Sequence, residues 1–141
     1  MKNKIAGNNS FFENDISKLR LIIPKIDFNM RFYDFNSEFN NVDYNIEILK
    51  NSYISSNLFY IAGHSGGCDY CYFDNIRFLI EGDFVYIYNG DDILIYVIKE
   101  KYYIDKNGYM ISNNKINYLY LITCDIYNSN RQLILEGYLI N

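Results

Sequence analysis

The sequence is poor in several residue types, and each shortage excludes a class of protein. It holds two alanines, one proline and no tryptophan among 141 residues. Because alanine is the best helix former, its near absence excludes an all-helical fold. Thirteen basic residues against seventeen acidic ones give a net charge of −4. That balance argues against a nucleic-acid binder, since such proteins present a clustered basic face.

Long apolar runs are also missing. The longest uncharged apolar stretch is Ile93–Ile98, six residues, whereas a membrane-spanning helix needs about 20. The first ten residues are weakly basic but lack the apolar segment of a signal peptide. We interpret residues 1–18 as an N-terminal arm or short helix, and residues 19–141 as one domain, because the length suits a single domain.

The abundant residues favour strands. There are 22 isoleucines and 16 tyrosines, and β-branched and aromatic side chains pack well on a sheet. Apolar residues alternate over 19–23 up to the single proline, which predicts an early strand. Further along, Asn89-Gly90 separates Asp83–Tyr88 from Ile93–Lys99. That dipeptide between two apolar runs is typical of a tight β-hairpin.

The last third of the chain predicts two more strands, Asn117–Thr123 and Gln132–Ile140, joined by a polar loop over residues 125–130. Residues 69–80 are compatible with a short helix that buries one apolar face. Seven or eight short strands with one or two short helices indicate a mainly β protein. The expected architecture is a closed seven- to eight-stranded β-barrel.

Three residues are candidates for chemistry. His64 is the only histidine, and it follows an apolar strand in a glycine-rich turn, which is unusual for a core histidine. Cys124 ends one predicted strand, and Arg131 opens the next. Taken singly, each has a bland interpretation: a structural histidine, a buried thiol acting as a small apolar group, and a solvated charge.

Taken together, the three predict an acyl-transfer site. If the strands on either side of the 125–130 loop pair, Cys124 and Arg131 lie opposite each other at one end of the sheet. A guanidinium beside a thiol stabilises the thiolate and donates hydrogen bonds to a developing oxyanion. A histidine at a neighbouring strand end, His64, then serves the same sulfur as general acid or base.

Five segments, in this order, resemble the sortases, the cysteine transpeptidases of Gram-positive cell surfaces. The segments are Ile22-Ile23-Pro24-Lys25-Ile26, Ile61-Ala62-Gly63-His64-Ser65, Glu81-Gly82-Asp83-Phe84-Val85, Tyr120-Leu121-Ile122-Thr123-Cys124 and Arg131-Gln132-Leu133-Ile134-Leu135. They look like the family's I-P-K-I segment, histidine segment, G-D-x-V strand, T-L-x-T-C nucleophile motif and arginine strand. Tyr120 stands where threonine is usual, and Gln132 intervenes after the arginine, but neither departure removes a catalytic group.

The resemblance implies a sortase-like β-barrel and a mechanism. Cys124 would attack the carbonyl after threonine in an L-P-x-T-G-like sorting signal, His64 would protonate the leaving amine, and Arg131 would hold the oxyanion. An amine acceptor of peptidoglycan or of a pilin would then resolve the thioacyl enzyme. Neighbouring residues are expected to bind or orient the substrate: Thr123, Ala62 and Ser65.

The resemblance also implies a location, the extracellular face of a Gram-positive cell membrane. Sortases carry an N-terminal membrane anchor, which has no counterpart in residues 1–18, so we expect that it has been removed from this chain. Those residues also lack an Asp-Pro-aromatic element. That favours a compact anchoring or sporulation-associated type over the lid-bearing type that polymerises pilins.

Two alternatives to a transpeptidase stay open. One is a hydrolytic cysteine protease of the same fold, which differs only in the nucleophile that reaches the thioester. The other is a β-barrel binding module that has lost its activity. Asp125, directly after the nucleophile, either orients His64 or solvates the loop, and we favour the second role.

The resemblance implies no cofactor, although two sets of residues raise the question. Cys68 and Cys71 form a Cys-x-x-Cys pair beside His64, which suggests redox chemistry or zinc. A zinc site built from them with His64 and Cys124 would consume both catalytic groups. We therefore interpret the pair as loop cysteines without a catalytic role, compatible with a short disulfide outside the cell. Some sortases bind calcium, and the candidate ligands here, not favoured, are Asp91, Asp92, Glu100 and Asp105.

Overall fold

One eight-stranded sheet forms the framework of the protein. The structure, a computed structural model, describes residues 16–106 and 116–141. Its strands are β1 (Leu19–Ile23), β2 (Phe28–Arg31), β3 (Glu47–Ile48), β4 (Phe59–Ala62), β5 (Phe84–Asn89), β6 (Asp92–Asp105), β7 (Tyr118–Asp125) and β8 (Asn128–Leu139). The strand order across the sheet is β2-β1-β5-β6-β8-β7-β4-β3. The prediction of a mainly β fold with seven or eight strands is confirmed.

The sheet curls into a half-barrel, and one side chain links its two edges. The amide nitrogen of Asn45 donates to the carbonyl of Arg31, at the end of β2, over 2.8 Å. It also donates to the carbonyl of Ile46, just before β3. Asn45 is buried, and a buried amide needs such partners. Its two bonds therefore hold the edge strands near each other.

The sheet buries apolar side chains on both faces. The inner face carries the main core, to which β7 contributes Leu119 and Leu121. The opposite face carries a second cluster, called here the outer cluster: Leu58, Tyr60, Tyr120, Ile122 and Ile134. Burial on both sides explains why Tyr118–Asp125 reads as a nearly continuous apolar run instead of an alternating one.

A β-bulge in β6 reverses the faces along that strand. The register of β6 against β8 shifts between Ile98 and Glu100. Before the shift, Ile98 packs in the main core, and after it, Tyr102 packs against the outer cluster. An extra residue has this effect because side chains alternate with a period of two.

The prediction of a helix over residues 69–80 is wrong, because only one 3-10 turn lies in that range. Within the described residues the only helical elements are single 3-10 turns at Ile16–Lys18, Pro24–Ile26, Ile54–Ser56 and Ile76–Phe78. Side-chain hydrogen bonds explain why turns replace the predicted helix. The Asp74 carboxylate accepts hydrogen bonds from the backbone N–H groups of Gly66 and Gly67, and bonds of this kind favour turns. The expected apolar face is correct for three residues, Phe73, Ile76 and Leu79, but Ile80 is exposed.

The polar loop predicted over residues 125–130 is also shorter than expected. Strand β7 continues through Asp125 and β8 begins at Asn128, so two residues connect them. The Asp125 carboxylate accepts the N–H of Tyr127, and the Asn128 side chain accepts the N–H of Asn130. These bonds let polar residues form a tight turn, which composition alone does not distinguish from a loop.

The predicted β-hairpin is confirmed, since β5 and β6 pair antiparallel with Asn89 opposite Asp92. Gly90 in the turn has a φ of 60°, which glycine adopts at little cost. Of the predicted N-terminal arm, residues 1–15 lie outside the described part of the chain, and Ile16–Lys18 forms a 3-10 turn. No helix among the described residues is long and apolar enough to cross a membrane.

We predict that Gly63→Ala destabilises the protein. A Cβ at this position would lie 2.7 Å from two ring atoms of the buried Phe73, and overpacking of this kind costs about 1–3 kcal/mol. Urea unfolding of the variant and of wild type measures the difference. Gly137→Ala is the control, because the nearest atoms there lie 3.4 Å away. Equal stability of Gly63→Ala and wild type would contradict the close packing.

Candidate active site

The site is built on the pairing of β4 with β7. This is the one parallel pair among the described strands. Tyr60 lies beside Tyr120, and Ala62 beside Ile122. The rings of Tyr60 and Tyr120 stack 4.6 Å apart on the outer face, so the register is reinforced by side-chain packing.

Three hydrogen bonds continue this pairing beyond the end of β4. The N–H of Gly63 donates to the carbonyl of Ile122 over 3.1 Å. The Thr123 hydroxyl donates to the carbonyl of Gly63, and the Ser65 hydroxyl donates to the carbonyl of Cys124, each over 2.7 Å. The glycine-rich turn is therefore fastened to the last residues of β7.

The same register, extended beyond the end of β4, leads to His64 and Cys124. Ala62 lies beside Ile122, and two further residues along each strand lead to His64 and Cys124. Both positions fall on the face of the outer cluster, because alternate residues of a strand share a face. Neighbouring strands lie about 4.8 Å apart. Extending the register therefore brings the backbone positions of the only histidine and of the free cysteine of the described residues close together, and their chemical role stays a prediction.

An aspartate that the sequence analysis missed contacts His64. Asp43, in the connection between β2 and β3, places Oδ1 2.8 Å from His64 Nε2. The ring of Tyr70 meets the imidazole edge-on at 5.3 Å. A carboxylate at one ring nitrogen favours the N–H on that atom and orients the ring. Asp43 and His64 are 21 residues apart, and no local motif links them.

Asp125 does not orient His64 but binds Arg131. The Arg131 Nη2 and Nε atoms donate to Asp125 Oδ2 over 2.6 and 3.1 Å, and the Asp125 side chain is buried. The guanidinium also lies 4.5 Å from the centroid of the Tyr103 ring. Hydrogen bonds from the Tyr127 backbone N–H and from Arg131 hold the pKa of Asp125 below its usual value.

The expected opposition of Cys124 and Arg131 is not observed. Cys124 pairs with Gln132 across β7 and β8, while Arg131 pairs with Asp105 of β6. The prediction is off by one position, and the observed pairing depends on a shift in the β7–β8 register between Cys124 and Asp125. A one-residue offset moves a side chain to the other face of the sheet. Arg131 lies at the same end of the sheet as Cys124, but on the inner face.

The three residues expected to orient the substrate have different surroundings. The Thr123 side chain is buried, and its hydroxyl is bonded to the turn. The Ser65 hydroxyl is hydrogen-bonded to the backbone carbonyl of Cys124. Both hydroxyls therefore hold the backbone of the site in place. Ala62 is half-buried and lies on the face of the outer cluster, next to the thiol position.

The structure joins Cys68 and Cys71 in a disulfide. Neither sulfur is therefore a thiolate ligand for zinc, and the two-residue loop between them carries Tyr70. The acidic residues considered for calcium are spread along β6 and its preceding turn, with Asp91 and Asp92 at one end and Asp105 at the other. No group of three or more potential metal ligands occurs within residues 16–106 and 116–141.

Comparison with known proteins decides the family. The model of the sortase domain matches residues 21–140. The chain belongs to the sortase family. No relative among the curated proteins matches it.

Solved structures of sortases share the fold. A lid mutant of sortase A from Corynebacterium diphtheriae is similar with a TM-score of 0.77 and 19% identity, over 99% of this chain and 83% of that one. The pilus-related sortase C of Group B Streptococcus gives 0.75 and 21%, over 99% and 75%. Clostridium perfringens sortase C, solved with a C-terminal cell wall sorting motif, gives 0.70 and 20%, over 86% and 69%.

We predict that Asp125→Asn destabilises this sortase domain at neutral pH and not in acid. The charged carboxylate binds Arg131, and its lowered pKa means that the folded state favours the ionised form. The stabilisation is complete above the unfolded pKa of about 4 and is lost as the pH falls through the lowered folded pKa. Thermal unfolding midpoints against pH measure the difference.

The control for this prediction is Asp91→Asn, which changes an exposed carboxylate in the hairpin turn. It is expected to match wild type at every pH. A gap between wild type and Asp125→Asn that stays constant down to strongly acidic pH would contradict the ionic role of Asp125.

Proposed function

We propose that this protein is a cysteine transpeptidase that cleaves an L-P-x-T-G-like sorting signal after threonine and transfers the product to an amine acceptor. The proposal rests on one observation: β4 and β7 pair in parallel up to Ala62 and Ile122, which stand two residues before His64 and Cys124. The family membership supports it, since residues 21–140 match the sortase domain. A similar sortase C was solved with a sorting motif, which supports a peptide of that class as substrate.

Acylation requires a thiolate and an acid. Cys124 Sγ attacks the carbonyl carbon after threonine, forming the C–S bond and an oxyanion. His64, as imidazolium, gives its proton to the amine nitrogen, and the C–N bond breaks. The amine leaves, and the threonyl group remains on Cys124 as a thioester. Asp43, 2.8 Å from His64 Nε2, supports this step because a carboxylate stabilises the imidazolium.

Deacylation reverses the roles of the same groups. An incoming amine attacks the thioester carbon, neutral His64 accepts the proton of that amine, and the C–S bond breaks to return the thiolate. The product is a new amide, so the acceptor determines whether the enzyme transfers or hydrolyses. Peptidoglycan or pilin amines are the acceptors that we propose, at the outer face of a Gram-positive membrane.

Arg131 has an electrostatic part in this proposal. Its guanidinium lies at the same end of the sheet as the thiol but is bonded to Asp125 and rests on Tyr103. We propose that its positive charge stabilises the Cys124 thiolate at a distance, without a direct hydrogen bond. Ala62, paired with Ile122, is the substrate-side residue that we propose on β4, because its side chain is a single methyl group. No step of the mechanism requires a cofactor.

We predict that Cys124→Ala abolishes turnover and leaves the fold intact. Loss of the nucleophile is expected to lower the rate below about one thousandth of wild type. Mass spectrometry of the protein with a panel of L-P-x-T-G-like peptides, with and without triglycine, follows both the adduct and the product. Wild type is expected to form an adduct on Cys124 and to release a triglycine-joined peptide.

Other outcomes of this experiment separate the alternatives. Cleavage with no triglycine-joined product would identify a hydrolytic protease. No adduct with any peptide, together with a Cys124 thiol that resists alkylation, would favour an inactive binding module. Residual cleavage by folded Cys124→Ala, checked by its unfolding midpoint, would exclude this cysteine as the nucleophile.

A further inference from the structure

Gln132 is paired with the nucleophile across two neighbouring strands, and the two side chains lie on the same face of the sheet. Cys124 and Gln132 are paired residues of β7 and β8. The preceding pair on the same face, Ile122 and Ile134, packs in the outer cluster. Cys124 and Gln132 therefore also lie on the face of the outer cluster. Directly paired residues have Cβ atoms about 4.5–5.5 Å apart. The Gln132 carboxamide is therefore within reach of an atom bound to the sulfur.

Arg131 is directed to the other face. Its neighbour two residues on, Leu133, packs in the main core, and its guanidinium rests on Tyr103, the residue paired with Leu133. Both nitrogens that donate to Asp125 are thereby engaged on that side. The guanidinium is therefore held on the face opposite the one that carries Cys124 and Gln132.

Gln132 has the chemistry that an oxyanion needs. A carboxamide carries two N–H donors, and side-chain amides serve as oxyanion donors in acyl transfer. Gln132 is half-buried, and none of the hydrogen bonds found among the described residues occupies its amide. A neutral donor also differs from a guanidinium, because it stabilises an oxyanion without adding a positive charge beside the sulfur.

We propose that Gln132 is the residue that donates a hydrogen bond to the oxyanion formed on Cys124, and that Arg131 contributes only its positive charge. The inference rests on the proposed function for the nucleophile. It divides two roles, oxyanion contact and positive charge, that the sequence assigns to Arg131 alone.

Two reagents that react with the same sulfur separate these roles. With p-nitrophenyl acetate, Sγ adds to the carbonyl carbon, the C=O pair moves to oxygen, and the oxyanion then expels p-nitrophenolate to leave an S-acetyl group. With iodoacetamide, Sγ displaces iodide from a tetrahedral carbon, and no oxyanion forms. An oxyanion donor therefore affects the first reaction and not the second.

We predict that Gln132→Ala slows acylation of Cys124 by p-nitrophenyl acetate on the order of 100-fold. The rate of its alkylation by iodoacetamide stays within about twofold of wild type. The pH midpoint of that alkylation stays the same as in wild type. Gln132→Arg, which restores N–H donors at the same position, is expected to recover most of the acylation rate. Asn130→Ala is the matched control, since it removes an exposed amide two residues along β8 and should leave both rates unchanged.

Three results would overturn the assignment of Gln132. The first is wild-type acylation by Gln132→Ala, and the second is an equal fall of acylation and alkylation, which indicates a structural role. The third is a wild-type thiol that is alkylated but never acylated. The ester carries no sorting signal, so failure of peptide transfer with intact, Gln132-dependent acylation would refute the proposed function and uphold the role of Gln132.

Discussion

The parallel pairing of β4 with β7 is the constraint on which the site depends. The other neighbouring strands in the described sheet run antiparallel. This pair joins segments about 60 residues apart, so only contacts within the sheet define its register. The stacked rings of Tyr60 and Tyr120 make a slip costly. A slip of one residue would turn His64 away from the face that carries Cys124.

Polar side chains hold the site from the side opposite the thiol. The hydroxyls of Ser65 and Thr123 bond to backbone carbonyls across the two strands, and Asp125 holds Arg131 at the strand end. Ser65 and Thr123 are sequence neighbours of His64 and Cys124, which explains why a motif-based analysis assigns them to substrate. The structure assigns the two hydroxyls to the scaffold, and it leaves the outer face to His64, Cys124 and Gln132.

The sequence predicts the elements of this fold better than their registers. Strand-forming side chains and the Asn89-Gly90 turn identify the hairpin, and the ordered motifs predict His64 and Cys124 as site residues. The turn after β7 is different, because Asp125 and Asn128 are typical of loops and yet satisfy the backbone of a tight turn. The pairing of Cys124 with Gln132 depends in addition on a register shift between Cys124 and Asp125, which no sequence pattern indicates. The contact of Asp43 with His64 depends on the path of a long connection, which no local pattern encodes.

The Cys68–Cys71 disulfide restricts only a short segment of the chain. Its ring includes four residues, and in the chain-entropy model so short a ring stabilises a fold by about 2 kcal/mol, near the low end for disulfides. Its larger effect is on Tyr70, which lies inside the ring and against the imidazole. The loss of conformational freedom around that tyrosine occurs when the bond forms, before any peptide arrives. The wall of the site beside His64 is thus preorganised by oxidation, and binding does not have to order it.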